Sequence, residues 1–172
     1  MRTSKLLKAR ILILLSLVAV MSLAAVAVAQ ASTPTPSSGS FWTTGLNYLT
    51  FDKVAGQNTF YSIGVSIEFS GTLKGTGVIE ESGVIHGGGA GPTVGHAVIH
   101  FTGTIGNSAP GTIDIRYNRK KDGGLFESVP SIGDRVFVTN TGAGGLANLH
   151  GTAHFEGLIG EMGSYEGQYH FD

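Results

Sequence analysis

One carboxylate in this chain is placed where it could do chemistry. In the run Ile79-Glu80-Glu81-Ser82-Gly83-Val84-Ile85, strand alternation puts Ile79, Glu81, Gly83 and Ile85 on one face. If that face is the core side, Glu81 points inward, and an acid beside an apolar substrate can act as a proton relay. The opposite parity, Val78, Glu80, Ser82, Val84 and His86, is nearly as apolar, so the same residues also suit a Glu81 exposed on a twisted edge. Tyr61, Tyr117, Tyr165 and Tyr169 fall on inward parities and are candidates to line a cavity, each offering a hydroxyl. They equally suit a packed core with the hydroxyls at a barrel mouth.

Six histidines invite a metal hypothesis, and strand geometry argues against the obvious pairs. His96 and His100, like His150 and His154, are four apart, which is about 13 Å along a strand, whereas zinc needs nitrogen ligands near 2.1 Å. Cross-strand combinations of His150 or His154 with His170 stay open, and the expectation is solvated histidines with no metal or other cofactor. No Ser/His/Asp set, paired-acid motif or phosphate loop stands out. The Gly87–Gly91 run lacks the lysine and the following helix that a phosphate loop requires.

The elements that must position these groups are strands. A repeat of Phe, any residue, Gly, any residue and a branched aliphatic occurs at Phe69-Ser70-Gly71-Thr72-Leu73, Phe101-Thr102-Gly103-Thr104-Ile105 and Phe155-Glu156-Gly157-Leu158-Ile159. In a strand these three positions share a face, and glycine there admits a neighbouring backbone or a bend. Alternation predicts strands over 61–73, 76–86, 97–105, 111–121 and about 135–139, and a terminal hairpin of 149–159 with 163–171. A turn at Gly160-Glu161-Met162 sets His154 opposite Gln168. Leu149, Ala153, Phe155, Tyr165, Tyr169 and Phe171 then lie on the apolar face. Phe41, Trp42, Tyr48 and Phe51 suggest a first strand and a covering loop. Seven or eight antiparallel strands with no covering helix most simply close into a small barrel, whose interior is either filled or holds one small ligand. Phe69, Phe101, Phe155 and Phe171 point into it, as the lining of a pocket or as the plug that removes it.

Arg2, Lys5, Lys8 and Arg10 precede an apolar run from Ile11 to Ala29, the pattern of an export signal over residues 1–30, or of an uncleaved N-terminal anchor that is the chain's one membrane contact. Residues 31–40, rich in Ser, Thr and Pro, read as a spacer, and residues 41–172 as a single barrel domain. Without the signal's four cations, seven basic residues stand against twelve acids, about −5, which does not suit a nucleic-acid partner. Arg119, Lys120 and Lys121, followed by Asp122-Gly123-Gly124, read as a solvated hairpin tip. With no cysteine, the chain has neither disulfides nor thiolate chemistry.

The passages Thr141–Phe155 and Gly163–Asp172, ending in Tyr-x-Gly-x-Tyr-x-Phe-Asp, together with Phe-Ser-Gly-x-Leu-x-Gly-x-Gly at Phe69–Gly77, resemble the allene oxide cyclase-like barrel superfamily. Within it the likeness is closest to an uncharacterised bacterial family of unknown function, and more distant to dirigent proteins. The resemblance implies an eight-stranded barrel, often in homo-oligomers, with a central apolar cavity in members that do chemistry. No catalytic residue of the plant enzymes has a matched position here. The resulting expectation is an exported barrel that binds a small hydrophobic molecule or serves as a structural and interaction module. The alternatives are a cyclase or dirigent-like protein that steers ring closure of a reactive apolar intermediate, with Glu81 or a tyrosine as relay, and a cell-surface adhesion or matrix protein.

Overall fold

The computed structural model describes residues 33–125, 131–137, 141–157 and 160–172. The export segment expected over residues 1–30 lies outside them. Among the described residues the strands are β1 (Thr35–Ala55), β2 (Asn58–Gly71), β3 (Leu73–Ile85), β4 (Thr93–Ile105), β5 (Gly111–Lys121), β6 (Ser131–Phe137), β7 (Ala143–Gly144), β8 (Leu149–Gly157) and β9 (Met162–Phe171). All pairings are antiparallel. Eight strands close a barrel in the order β1-β2-β3-β4-β5-β6-β8-β9, with β9 returning to β1. The two-residue β7 pairs outside this circuit with the start of β5.

Period-two alternation builds the wall. Tyr61, Ile63, Val65, Ile67 and Phe69 of β2 are buried, as are Ala97, Ile99, Phe101 and Ile105 of β4, while the residues between them, Gly64 excepted, are half-buried or exposed. On β3 the buried parity is that of Ile79, Glu81 and Ile85; the alternative face carries Val78, which is exposed. The run expected as one strand over 61–73 turns a corner instead. β2 ends at Gly71 and β3 begins at Leu73, because the Thr72 amide donates to Ser38 O (2.9 Å) and the Leu73 amide to the Tyr165 hydroxyl (2.7 Å). That hydroxyl also donates to Ser70 O (3.0 Å), so one side chain of β9 reaches past β1 to pin the corner.

Residues 31–40 are not a spacer throughout. From Thr35 onward the chain is strand, with Thr35–Trp42 paired to β9 and Gly39–Ala55 paired to β2, and Ser37 is buried. Main-chain pairing with β9, joined from Gly39 onward by pairing with β2, holds a polar segment in a wall without apolar side chains. No covering loop follows. β1 runs on past its last partner in β9 through three register shifts, between Thr43 and Gly45, Leu46 and Tyr48, and Phe51 and Lys53, which bend it and re-aim its side chains.

The terminal hairpin keeps its expected faces but not its expected register. His154 faces Glu166 and Phe155 faces Tyr165, two residues from the His154–Gln168 pairing. The turn is centred one residue earlier, at Gly160, which shifts every partner by two and preserves parity.

Phe41, Phe69, Phe101, Phe155 and Tyr165 form one aromatic cluster, with ring centroids 5.3 to 6.3 Å apart in the contacting pairs. The glycines of the repeat make it possible. Gly103 lies against Gly75 on the neighbouring strand, and a Cβ on Gly103 would come 2.2 Å from Lys74 O and 2.9 Å from the Gly75 Cα. The strands therefore close tightly around the rings, and the middle of the barrel is plugged.

Candidate functional site

Above this plug a cavity of about 70 Å³ remains, open on one side. Its wall is apolar: Phe41, Ile63, Val65, Ile67, Ile79 and Phe155. Into it come four polar side chains, Thr43 of β1, Glu81 of β3 and Tyr117 and Arg119 of β5. The strand register explains their meeting. Glu81 faces Ala97 on β4, and Ala97 faces Tyr117 on β5, so one small residue separates the carboxylate from the phenol across the inner face. On the other side Glu81 faces Ile63, two residues along β2 from Tyr61.

Glu81 is buried and accepts three hydrogen bonds. Tyr61 Oη donates to Oε1 at 2.5 Å, Tyr117 Oη to Oε2 at 2.5 Å, and Arg119 Nη1 to Oε1 at 2.8 Å. Short phenol contacts together with a guanidinium are the bonding pattern of a carboxylate rather than a carboxylic acid. The Glu81–Arg119 pair is almost wholly withdrawn from water, with side-chain exposures of 2% and 6%. Burial, the adjacent Glu81 charge and the hydrogen bond to it together push the Tyr61 phenol well above its ordinary pKa. Burial alone would lower the Arg119 pKa, but the charge of Glu81 and the hydrogen bond to it outweigh burial and hold the guanidinium above its usual value. The group is a preorganised anchor: one acceptor fixed by three donors beside an apolar wall.

Two of the three basic residues read from sequence as a solvated tip are inside. Arg119 and Lys121 share the inward parity of Ile113, Ile115 and Tyr117, and only Lys120 of the three is exposed. Lys121 Nζ donates to Leu125 O (3.1 Å), and Thr93 Oγ1 to Gly123 O (2.7 Å), which tucks residues 122–125 over this end of the barrel. The signal was present in the sequence as the unbroken alternation of β5. The charge of the cluster concealed it.

Of the other aromatic candidates, Phe69 and Phe101 belong to the plug and Phe155 is both plug and cavity wall. Tyr165 spends its hydroxyl on the β2–β3 corner. Tyr169 and Phe171 stack edge to face at the opposite end, half-buried, away from the cavity. Tyr61 and Tyr117 are thus the two tyrosines brought to Glu81.

An apolar lip lies on the strand next to the cavity wall. Leu46, Phe51 and Val54 of β1 face Val65, Tyr61 and Thr59 of β2, so they lie on the inner face, yet they are 57%, 58% and 70% exposed because β1 has already outrun β9 there. Leu49, between them, packs on the core. As for the histidines, His150 and His170 stack across β8 and β9 with centroids 5.0 Å apart. Asp172 lies 2.8 Å from the first and 3.7 Å from the second. Among the described residues no group of three or more His, Asp or Glu side chains is arranged to hold a metal ion.

Compared with known proteins, the chain matches no protein-family model and no curated relative.

Proposed function

We propose that the protein binds the apolar end of a small hydrophobic molecule in the upper half of its barrel. The single observation that carries this is the small cavity: aliphatic and aromatic side chains form its wall, the Glu81–Tyr117–Arg119 group its polar side, and an exposed apolar lip lies on the neighbouring strand β1. Its volume bounds the occupant. Cavities near 150 Å³ take benzene and drug-sized ligands need about 300–1,000 Å³, so about 70 Å³ admits only a short alkyl or similarly narrow end, the remainder lying along the lip. With Glu81 committed to three donors and the enclosed space this small, binding accounts for the site better than ring closure of a precursor. In this reading the allene oxide cyclase-like resemblance is one of architecture, and the N-terminal segment, taken as an export signal, puts the proposed binding outside the cytoplasm.

Native mass spectrometry of protein purified from its own host, with thermal-shift titration by 1-octanol and limonene, tests the proposal. A retained apolar adduct, or a rise in Tm on titration that is abolished by Val65→Phe, is the expected result. No adduct and no shift, together with a Val65→Phe protein more stable than wild type, would reduce the cavity to a packing gap.

A further inference from the structure

The outer face of the barrel carries a second hollow, a groove of about 700 Å³ that crosses five strands from β1 to β5. Four inter-strand steps make it about 19 Å long. Its axis follows the register: Tyr48 sits beside Gly64, Gly64 faces Glu80, Glu80 faces Val98 and Val98 faces Arg116. Flanking rows add Ser82, His96 and Asn118 on one side and His100 and Asp114 on the other.

Two features make this more than a polar strand surface. First, Tyr48 is seated. A Cβ on Gly64 would come 2.2 Å from its Cε1, so the ring occupies the space a side chain would take, and 43% of the residue remains exposed at the groove's end. Beside it, Asn47 accepts from Ser66 Oγ (3.0 Å) and Asp52 from Ser62 Oγ (2.7 Å), so the bulged half of β1 is tied down as a wall. Second, the polar side chains are held before any ligand arrives, since His100 Nδ1 lies 2.8 Å from Asp114 Oδ1 and its Nε2 lies 3.8 Å from Glu80 Oε2.

We infer that this groove is a binding site for a neutral polysaccharide chain. The lining chemistry selects the occupant. Carboxylate, imidazole, amide and guanidinium groups are planar forks that pair with neighbouring hydroxyls, and an aromatic ring supplies an apolar face for the C–H side of a sugar ring. A nucleic acid does not fit, because Glu80 and Asp114 outnumber Arg116 along the floor. A dry protein interface does not fit either, since Val98 is the one aliphatic among the side chains that line the groove from its outer face. Glu81 and Tyr117 line both hollows, but the side chains assigned to the polysaccharide, Tyr48 and Arg116, lie on the outer face and line this one alone, so the two readings are tested separately.

Affinity electrophoresis of the purified protein in gels carrying laminarin, xylan or hydroxyethylcellulose tests it. At least one neutral polysaccharide is expected to retard the protein, with the effective Kd rising tenfold or more in Tyr48→Ala and in Arg116→Ala, and recovering in Tyr48→Phe. Gly64→Ala, which unseats the ring, is expected to weaken binding as Tyr48→Ala does. All three positions, Tyr48, Gly64 and Arg116, lie on the outer face away from the core, and unchanged circular dichroism verifies the fold. Absence of retardation by all three polymers overturns the proposal, as does retardation indifferent to Tyr48→Ala. Binding confined to heparin and lost at 0.3 M NaCl also overturns it, as the mark of a polyanion site.

Discussion

Replacing Glu81 by glutamine tests the buried anchor with almost no change of shape. The amide oxygen can still accept from Tyr61 or Arg119, so the principal loss is the negative charge beside a guanidinium that is 6% exposed. Breaking a buried ion pair by removing one partner costs about 3–5 kcal/mol, because the remaining charge is left in a poor solvent. For a unit of roughly 140 residues, the unfolding entropy of about 2.1 cal/mol/K per residue makes 1 kcal/mol worth about 3–4 °C, so Glu81→Gln should lower Tm by about 10–15 °C. Urea unfolding followed by circular dichroism at pH 7 gives the free energy directly. The diagnostic variant is the double one. Glu81→Gln with Arg119→Met removes both charges, and because a buried pair can be replaced by apolar groups at little net cost, it should recover all but about 1 kcal/mol of wild-type stability. A single-variant loss below about 1 kcal/mol would show that water reaches the pair. A double variant less stable than the single one would show that Arg119 acts through packing rather than charge, and either result refutes the reasoning.

Three further outcomes follow from the same structure. Tyr61 and Tyr165 both have phenol pKa values raised above 10.0, chiefly by burial, so the unfolded chain loses these protons first as pH rises. Their stabilisation is complete below about pH 10 and declines above it by up to about 1.4 kcal/mol per pH unit for each; urea midpoints between pH 9 and 11 should fall less steeply in Tyr61→Phe, and an unchanged slope would contradict the assignment. Tyr165→Phe strands the Leu73 amide and should cost about 1–3 kcal/mol, with faster hydrogen exchange at Leu73 as its local signature. Gly103→Ala drives a Cβ into the Lys74 carbonyl and the Gly75 backbone, neither of which can swing aside, and should destabilise by more than about 2 kcal/mol in the same urea assay, whereas a neutral result would mean that β3 and β4 can separate there.

Much of the barrel was legible because alternation of period two writes burial directly into strand sequence. The whole of β5, from Gly111 to Lys121, follows from parity alone, and so does the apolar face shared by Leu149, Phe155 and Tyr165. The errors have local causes. The corner at Thr72 was hidden because Leu73 stays on the buried parity after the turn. The register of the last hairpin was off by two because a shift of two leaves every side chain on its face. The polar start of β1 was unreadable because its place in the wall rests on main-chain hydrogen bonds, which side-chain composition does not report.

By itself, the sequence determined the class of fold, the inward direction of the tyrosines and phenylalanines, and the parity that made Glu81 a candidate. Only the tertiary structure decided what those directions meant. Strand order brought Tyr61, Glu81, Tyr117 and Arg119 together from three strands, and closure of the barrel made phenylalanines distant in sequence into a plug with a small cavity above it. The reason is physical: alternation is a property of each strand, whereas charge pairing and enclosed volume depend on which strands are neighbours and in what register, and those are fixed only when the sheet closes.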